Sequence, residues 1–297
     1  MRGKKLGLSA IIVLVLIGSL NLDAGMLRDA LQKRAEGRHV SGSQVSNTMM
    51  DVAYGSDKKQ RLDVYLPSNP KNASVIVMVH GGAWSKGDKR MDRVVENKAA
   101  RWNPKGVIFV SLNYRLLPDT NPLKQAEDVA NALVYVQNHA LEWGGDPTKI
   151  VLMGHSAGAH LVSLVSSDPS RYTLLKPWLG TVSLDSAAMN IPKVMGTKHY
   201  DFYDEAFGSD PAFWEAASPY HRLNSNAVAM MLVCSSKRPD KPCAEMEGYV
   251  QKAKSLGLHT VVQPEAMSNK EINEELGLES DYTKAVEAFI RSLGISI

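Results

Sequence analysis

The sequence is poor in the residues that mark metalloproteins and nucleic-acid binding proteins. It contains only two cysteines among 297 residues, too few to predict a cysteine-based metal site. The net charge is only +3, and the lysines and arginines form no long basic run. We therefore predict no metal site and no nucleic-acid partner.

An apolar run long enough to span a bilayer is also missing. The run from Leu6 to Leu20 is fifteen residues long and follows basic residues, whereas a spanning helix needs about 20 residues. Residues 1–24 therefore predict a secretory signal peptide and a secreted or periplasmic protein. Leu22 lies where a signal cleavage site prefers a small residue, so an uncleaved N-terminal anchor is the alternative. Only that alternative predicts membrane contact.

The two cysteines, Cys234 and Cys243, are close together in the sequence. In an exported protein such a pair predicts a disulfide. Two unpaired buried thiols are the alternative if the protein is not exported.

The rest of the sequence predicts one large domain. We expect an N-terminal helix and linker over residues 25–48, with the helix at 26–37, and a single domain over 49–297. Residues 51–54 and 61–65 alternate apolar and polar side chains, as in half-exposed antiparallel strands. Later runs such as 74–79 and 106–112 are continuously apolar, as in strands buried on both faces of a parallel sheet. Their alternation with helical segments predicts an α/β fold, a three-layer αβα sandwich with a mostly parallel central sheet.

An aromatic-rich insertion is predicted at about residues 189–222, between two strands. Seven aromatic residues lie in its second half: Tyr200, Phe202, Tyr203, Phe207, Phe213, Trp214 and Tyr220. We expect either a small lid that lines a substrate pocket or a set of helices that pack on the core.

The strongest motif is Gly154-His155-Ser156-Ala157-Gly158, which follows a short apolar strand and opens a helix. This pattern predicts a nucleophile elbow that presents the hydroxyl of Ser156. Gly154 and Gly158 are expected where a Cβ would collide with the adjoining strand or helix.

A second motif can supply the hydrogen-bond donors for the oxyanion that forms when a serine attacks an ester. His80-Gly81-Gly82-Ala83-Trp84 directly follows a predicted strand, where backbone N–H groups can stabilise an oxyanion. The N–H of Ala157 is expected to contribute the other half of this oxyanion hole.

With these two motifs the chain resembles the α/β-hydrolase esterases and lipases, especially hormone-sensitive-lipase-like and bacterial carboxylesterases and their kynurenine formamidase-like relatives. Three further segments carry the resemblance, which covers about residues 49–293: 62–67, 113–116 and 271–277. It implies an α/β-hydrolase fold with Gly81, Gly82, Ala83 and Ala157 around the oxyanion. We expect Trp84, His155, Tyr203, Phe207 and Trp214 to contact substrate.

A catalytic acid is expected after one of the last strands. Asp240 follows the strand that ends near Cys234 and is our first choice by topological position, with Asp185, after the preceding strand, as the second. Either carboxylate could instead cap a helix or lie in a solvated loop.

The catalytic base is missing. No histidine follows His259, and His259 itself begins a strand, at the wrong end of the sheet to reach Ser156. The resembling families place histidine between a serine and a Glu-Ile-Asn run, and this chain has Asn269 there. A carboxamide has no useful basicity at neutral pH.

Three explanations of Asn269 stay open: an engineered His→Asn change, a natural protein that binds without hydrolysing, and a base recruited from His80, His155 or His160. The sequence thus predicts a carboxylesterase that acts on a small-molecule ester through an acyl-enzyme and needs no cofactor. In this form we expect its activity to be strongly reduced. An amidase or formamidase and a non-catalytic binding protein are the alternatives.

Overall fold

The computed structural model describes residues 47–297. The predicted export segment, and the helix and linker expected over residues 25–48, lie outside the described residues except for the last two positions, which begin the first strand. Within the described part, no helix is long and apolar enough to cross a membrane.

One eight-stranded sheet forms the centre of the structure. Its spatial order is β1-β2-β4-β3-β5-β6-β7-β8. The pairs β1/β2 and β2/β4 are antiparallel, and every later neighbour is parallel. The strands are β1 (Asn47–Ala53), β2 (Arg61–Leu66), β3 (Ala73–Val79), β4 (Ile108–Leu112), β5 (Gly145–His155), β6 (Gly180–Leu184), β7 (Met230–Ser235) and β8 (Thr260–Glu265).

Helices follow the strands in the alternation that the sequence predicts. They are α1 (Asp92–Trp102), α2 (Pro122–His139), α3 (Ala157–Ser167), α4 (Ile191–Met195), α5 (Asp201–Phe207), α6 (Pro211–Ala216), α7 (Pro219–Arg222), α8 (Pro242–Ser255), α9 (Asn269–Glu274) and α10 (Asp281–Ser292). Three short 3-10 turns lie at 103–105, 140–143 and 169–171.

Strand β3 shows why three layers form. All seven of its residues are buried, and side chains of a strand alternate between the two faces of a sheet. Val75 and Val77 belong to the apolar cluster that includes α2 and α3, whereas Ile76 and Met78 belong to the cluster that includes α1 and α10. The continuous apolar run therefore fills two helical layers, as predicted.

Three local features differ from the sequence-based expectations. The amphipathic pattern of residues 123–143 predicts one long helix. In the structure the helix ends at His139 and continues as a 3-10 turn that closes at Gly144, whose φ of 76° is left-handed. The sequence predicts a helix over 247–256, but helix α8 begins five residues earlier, at Pro242, because proline is favoured at the first helical position. Helix α9, which begins at Asn269, was not predicted at all.

The insertion between β6 and β7 consists of the four short helices α4 to α7. Tyr203 and Phe207 of α5 are buried, and their rings lie 5.7 Å and 5.0 Å from that of Trp84. Part of the insertion therefore packs on the core, which is the second of the two arrangements expected from the sequence.

Candidate active site

Ser156 lies in a strained turn between β5 and α3. Its backbone has φ 54° and ψ −115°, a conformation that costs free energy for a residue with a side chain. A Cβ on Gly154 would lie 2.4 Å from the carbonyl oxygen of Gly158, and one on Gly158 would lie 2.4 Å from that of Val79. The predicted steric role of both glycines is confirmed, and the turn has the geometry of a nucleophile elbow.

The turn after β3 lies directly against this elbow. A Cβ on Gly81 would lie 2.9 Å from the Cβ of Ser156, and Gly82 and Ala83 have φ values of 132° and 49°. Ala83 and Ala157 line one cavity together with Ser156. Ala157 is the first residue of α3, where a helix leaves N–H groups without intrahelical partners. Two backbone segments can therefore offer N–H groups to an oxyanion beside the serine.

Asn269 also lines the cavity of Ser156, and its side chain contacts Asp185. Its Nδ2 donates to Oδ2 of Asp185 at 2.7 Å and to the backbone oxygen of Asp185 at 3.1 Å. The other oxygen of this fully buried carboxylate accepts the N–H of Ser235 at 2.7 Å. The second choice for the acid, Asp185, is thus the carboxylate that position 269 contacts.

Asp240 is held elsewhere. Arg238 donates from Nε to its Oδ1 at 2.9 Å and from Nη2 to its Oδ2. The same guanidinium donates from Nη1 to Oδ2 of Asp185 at 2.8 Å. Asp240, our first choice by topological position, therefore pairs with Arg238 and not with Asn269. Sequence reasoning missed Arg238, and nothing in its local sequence distinguishes it.

The backbone of Asn269 is fixed from two sides. Ser268 caps α9 by accepting the N–H of Glu271 while Glu271 accepts the N–H of Ser268. His155 donates its Nε2–H to the backbone oxygen of Asn269 at 2.8 Å. Burial lowers the pKa of His155 to about 4, so this ring is neutral at pH 7. His155 thus positions the segment that carries Asn269.

The other two candidate bases are engaged away from the nucleophile. His160 accepts from Nε1 of Trp84 at 3.2 Å and donates to the carbonyl of Ala217 at 2.8 Å. His80 contacts the carbonyl of Gly81 through Nδ1 at 2.8 Å. Burial lowers the pKa of both rings to about 4. None of the three rings has a hydrogen bond to Ser156 among the described residues, so the geometry does not favour a recruited base.

The cavity over Ser156 has a volume of about 280 Å³. The insertion contributes Tyr200, Phe202 and Tyr203 to its wall, and Trp84 lines it from the turn after β3. Tyr200 and Tyr203 also line an adjoining cavity of about 640 Å³. The insertion therefore acts as a pocket wall as well as a core element.

Three of the expected substrate contacts, His155, Phe207 and Trp214, do not line this cavity; His155 lines a second cavity beside Ser156 instead. Phe207 packs behind Trp84, with 2% of its surface exposed. Trp214 donates its Nε1–H to the backbone oxygens of Phe207 and Gly208 at 3.1 Å. An aromatic-rich sequence cannot tell which ring faces a cavity, because that depends on the rotation of each short helix.

The predicted disulfide is present. Cys234, at the end of β7, and Cys243, in the first turn of α8, are bonded with Cα atoms 5.1 Å apart. The bond closes the loop that carries Arg238 and Asp240.

Comparisons with known proteins find similarity to esterases. The sequence model of the BD-FAE family matches residues 62–194. Over 113 residues the chain is 34% identical to the probable isoprenylcysteine alpha-carbonyl methylesterase ICMEL1 of Arabidopsis thaliana, which covers 38% of this chain and 23% of that protein. Over 234 residues it is 28% identical to Esterase LipQ of Mycobacterium tuberculosis, covering 71% and 54%. The chain spans about half or less of the length of these curated relatives.

Solved structures extend the similarity of fold to most of the chain. A truncated carbohydrate esterase from gut microbiota superimposes with a TM-score of 0.71 at 16% identity, over 84% of this chain and 96% of that one. At this identity the likeness shows the fold alone. The chain therefore has the α/β-hydrolase fold, and over residues 62–194 its sequence is similar to the BD-FAE family.

Proposed function

We propose that this chain is a carboxylic-ester hydrolase of the serine type, in a form that lacks its general base. In the competent protein, Ser156 attacks the acyl carbon of a small-molecule ester and forms an acyl-enzyme, which water then hydrolyses. Backbone N–H groups around Ala83 and Ala157 stabilise the oxyanion of each step.

One observation carries the proposal: the hydrogen bond from Nδ2 of Asn269 to Oδ2 of Asp185, at the edge of the cavity that Ser156 lines. Nδ2 of asparagine and Nδ1 of histidine are both bonded to Cγ. A histidine at 269 can therefore keep the bond to Asp185 and turn its Nε2 towards the cavity. Asp185 would then fix the tautomer of that base and stabilise its protonated form.

The proposal extends to the kind of substrate. Trp84, Tyr200, Phe202 and Tyr203 give the cavity a largely aromatic wall, which favours an ester with an apolar or aromatic group on that side. The adjoining cavity behind Tyr200 and Tyr203 leaves room for a longer group. We also propose export to an oxidising compartment, which the disulfide supports.

The proposal is tested by restoring the base. The rates of hydrolysis of p-nitrophenyl acetate and butyrate are measured for the chain as given and for Asn269→His. Loss of the base of a serine triad costs on the order of 10⁶ in kcat, so we expect Asn269→His to raise the rate by several orders of magnitude.

Two controls make the result specific. Asn269→Gln keeps a carboxamide at the same position and should stay inactive, and Ser156→Ala combined with Asn269→His should lose the gained activity. Equal rates for the chain as given and for Asn269→His would overturn the proposal. A folded Asn269→His variant that binds esters without turnover would instead support a non-catalytic binding protein.

A further inference from the structure

A second cavity meets the nucleophile. Its volume is about 190 Å³, and it shares Ala83, Ser156 and Asn269 with the aromatic cavity. The serine therefore lies at the junction of two compartments, and a ligand that occupies both must pass over it.

The second compartment is cationic. Arg93 of α1 and Lys270 of α9 line it, and no carboxylate residue does. Arg93 forms no ion pair within residues 47–297; the only hydrogen bond from its side chain goes to Sδ of Met91. Lys270 has one distant ion-pair partner, Glu274, at 3.5 Å. Both positive charges are therefore available to a ligand.

A buried polar group of the same compartment lacks a partner. Asn273 lines the cavity, is 1% exposed, and its side-chain Oδ1 accepts no hydrogen bond within the described part of the chain. Such a group is costly to leave unpaired. Its carboxamide can turn either its oxygen or its NH₂ group towards a ligand.

A fully buried lysine lies behind this wall. Nζ of Lys98 donates to the backbone oxygens of Arg93 and Asn273, at 3.0 Å and 2.5 Å. Its ammonium thus ties together the two helices that carry the cationic side chains, and when it is protonated it adds positive potential to the compartment.

On these observations we infer that the compartment lined by Arg93, Lys270 and Asn273 binds a carboxylate of the ester substrate, a few bonds from the scissile carbonyl. This rests on the function proposed above and adds a substrate class to it: a small ester with an anionic end on one side of Ser156 and an apolar or aromatic group on the other. The small volume restricts the anionic end to a few heavy atoms.

The test compares monoethyl succinate with ethyl 4-methylpentanoate, in which an isopropyl group replaces the carboxylate at the same chain length. Binding of each ester to the chain as given is measured by calorimetry, and its hydrolysis by Asn269→His is followed by NMR. We expect tighter binding and a higher kcat/KM for monoethyl succinate, with both preferences weakened by added salt.

Variants distinguish binding of the anion in this compartment from a general effect of the protein's net charge. Arg93→Gln should weaken binding of monoethyl succinate about tenfold, as expected for a charge-assisted hydrogen bond at a partly solvated site, and leave ethyl 4-methylpentanoate unchanged. Arg93→Lys should keep most of the affinity. Lys254→Gln removes the same charge from an exposed position of α8 outside this compartment and should change neither ester.

Unchanged affinity of monoethyl succinate in both Arg93→Gln and Lys270→Gln would overturn the inference, as would a preference for the neutral ester. If Asn269→His hydrolyses neither ester while the chain as given binds monoethyl succinate through Arg93, the proposed hydrolysis fails and the anion site stands.

Discussion

Asn269 donates its side-chain Nδ2–H to Oδ2 of Asp185 at 2.7 Å, and this hydrogen bond crosses the end of strand β7. Asp185 follows β6 and Asn269 follows β8, with β7 between them. The last residue of β7, Ser235, donates its N–H to the other oxygen of the same carboxylate. The carboxylate is therefore oriented towards position 269 before any base is placed there.

This orientation predicts which acid supports catalysis. In the Asn269→His background, Asp185→Asn should lower kcat by about 10⁴, the loss expected when a triad carboxylate is replaced by a carboxamide. Asp240→Asn should have a small effect, because Asp240 pairs with Arg238. Both rates are measured on p-nitrophenyl butyrate. A larger loss of kcat for Asp240→Asn than for Asp185→Asn would show that Asp240 is the catalytic acid.

The steric role of Gly158 predicts a change in stability. In Gly158→Ala the new Cβ would lie 2.4 Å and 2.5 Å from the backbone oxygens of Val79 and His80. Because backbone atoms cannot move aside, we expect a loss of about 1–3 kcal/mol in the free energy of unfolding by urea, as for overpacked core sites.

The matched control for Gly158→Ala is Gly248→Ala in α8. A Cβ there meets no atom within 4 Å, and alanine stabilises a helix over glycine by about 0.5–1 kcal/mol. The two substitutions should therefore change stability in opposite directions. Destabilisation of similar size by both would show that the contact at Gly158 is not the cause.

The disulfide between Cys234 and Cys243 predicts sensitivity to reduction. The two residues are nine positions apart, and closing a loop of this length stabilises the native state by about 3 kcal/mol in the chain-entropy estimate. We expect dithiothreitol to lower the urea midpoint of the chain as given. The double variant Cys234→Ser, Cys243→Ser should already have the lower midpoint and should not respond to reductant.

Three buried histidines predict a loss of stability in mild acid. Burial lowers the pKa of His80, His155 and His160 to about 4 in the folded protein, from an ordinary value of 6.5. Between these values the unfolded chain binds more protons than the folded one. The contribution of these histidines to the free energy of unfolding should therefore be fully present above pH 6.5. It should fall as the pH drops towards 4, by about 1.4 kcal/mol per pH unit for each histidine.

Two exposed or half-exposed histidines modify this slope. Burial lowers the pKa of His221, which adds to the effect, and a hydrogen bond to Asp204 raises the pKa of His199, which opposes it. Urea unfolding at pH 6.5, 6.0, 5.5 and 5.0 measures the slope, and NMR should show the three buried rings neutral at pH 5. A constant free energy of unfolding across this range would contradict the prediction.

The sequence by itself determined the fold and the backbone geometry around Ser156. Continuous apolar runs such as that of β3 can only be buried on both faces of a sheet, which requires helices on both sides. Gly154 and Gly158 identify the elbow because the turn around Ser156 leaves no space for a side chain at either position. The sequence has no histidine after His259, and the resemblance to families with histidine before a Glu-Ile-Asn run led us to predict Asn269 as the position without a base.

Only the tertiary structure decided which side chains meet. Asp185 and Asp240 both follow strands that end at the same edge of the sheet, so chain order cannot separate them. Arg238 pairs with Asp240 and also donates to Oδ2 of Asp185, whereas the side chain of Asn269 contacts Asp185 and not Asp240. Likewise, Arg93 and Lys270 are far apart in the sequence and line one cavity because α1 and α9 pack together. Local sequence specifies backbone geometry, whereas the pairing of charged side chains is set by the packing of elements that are distant in the chain.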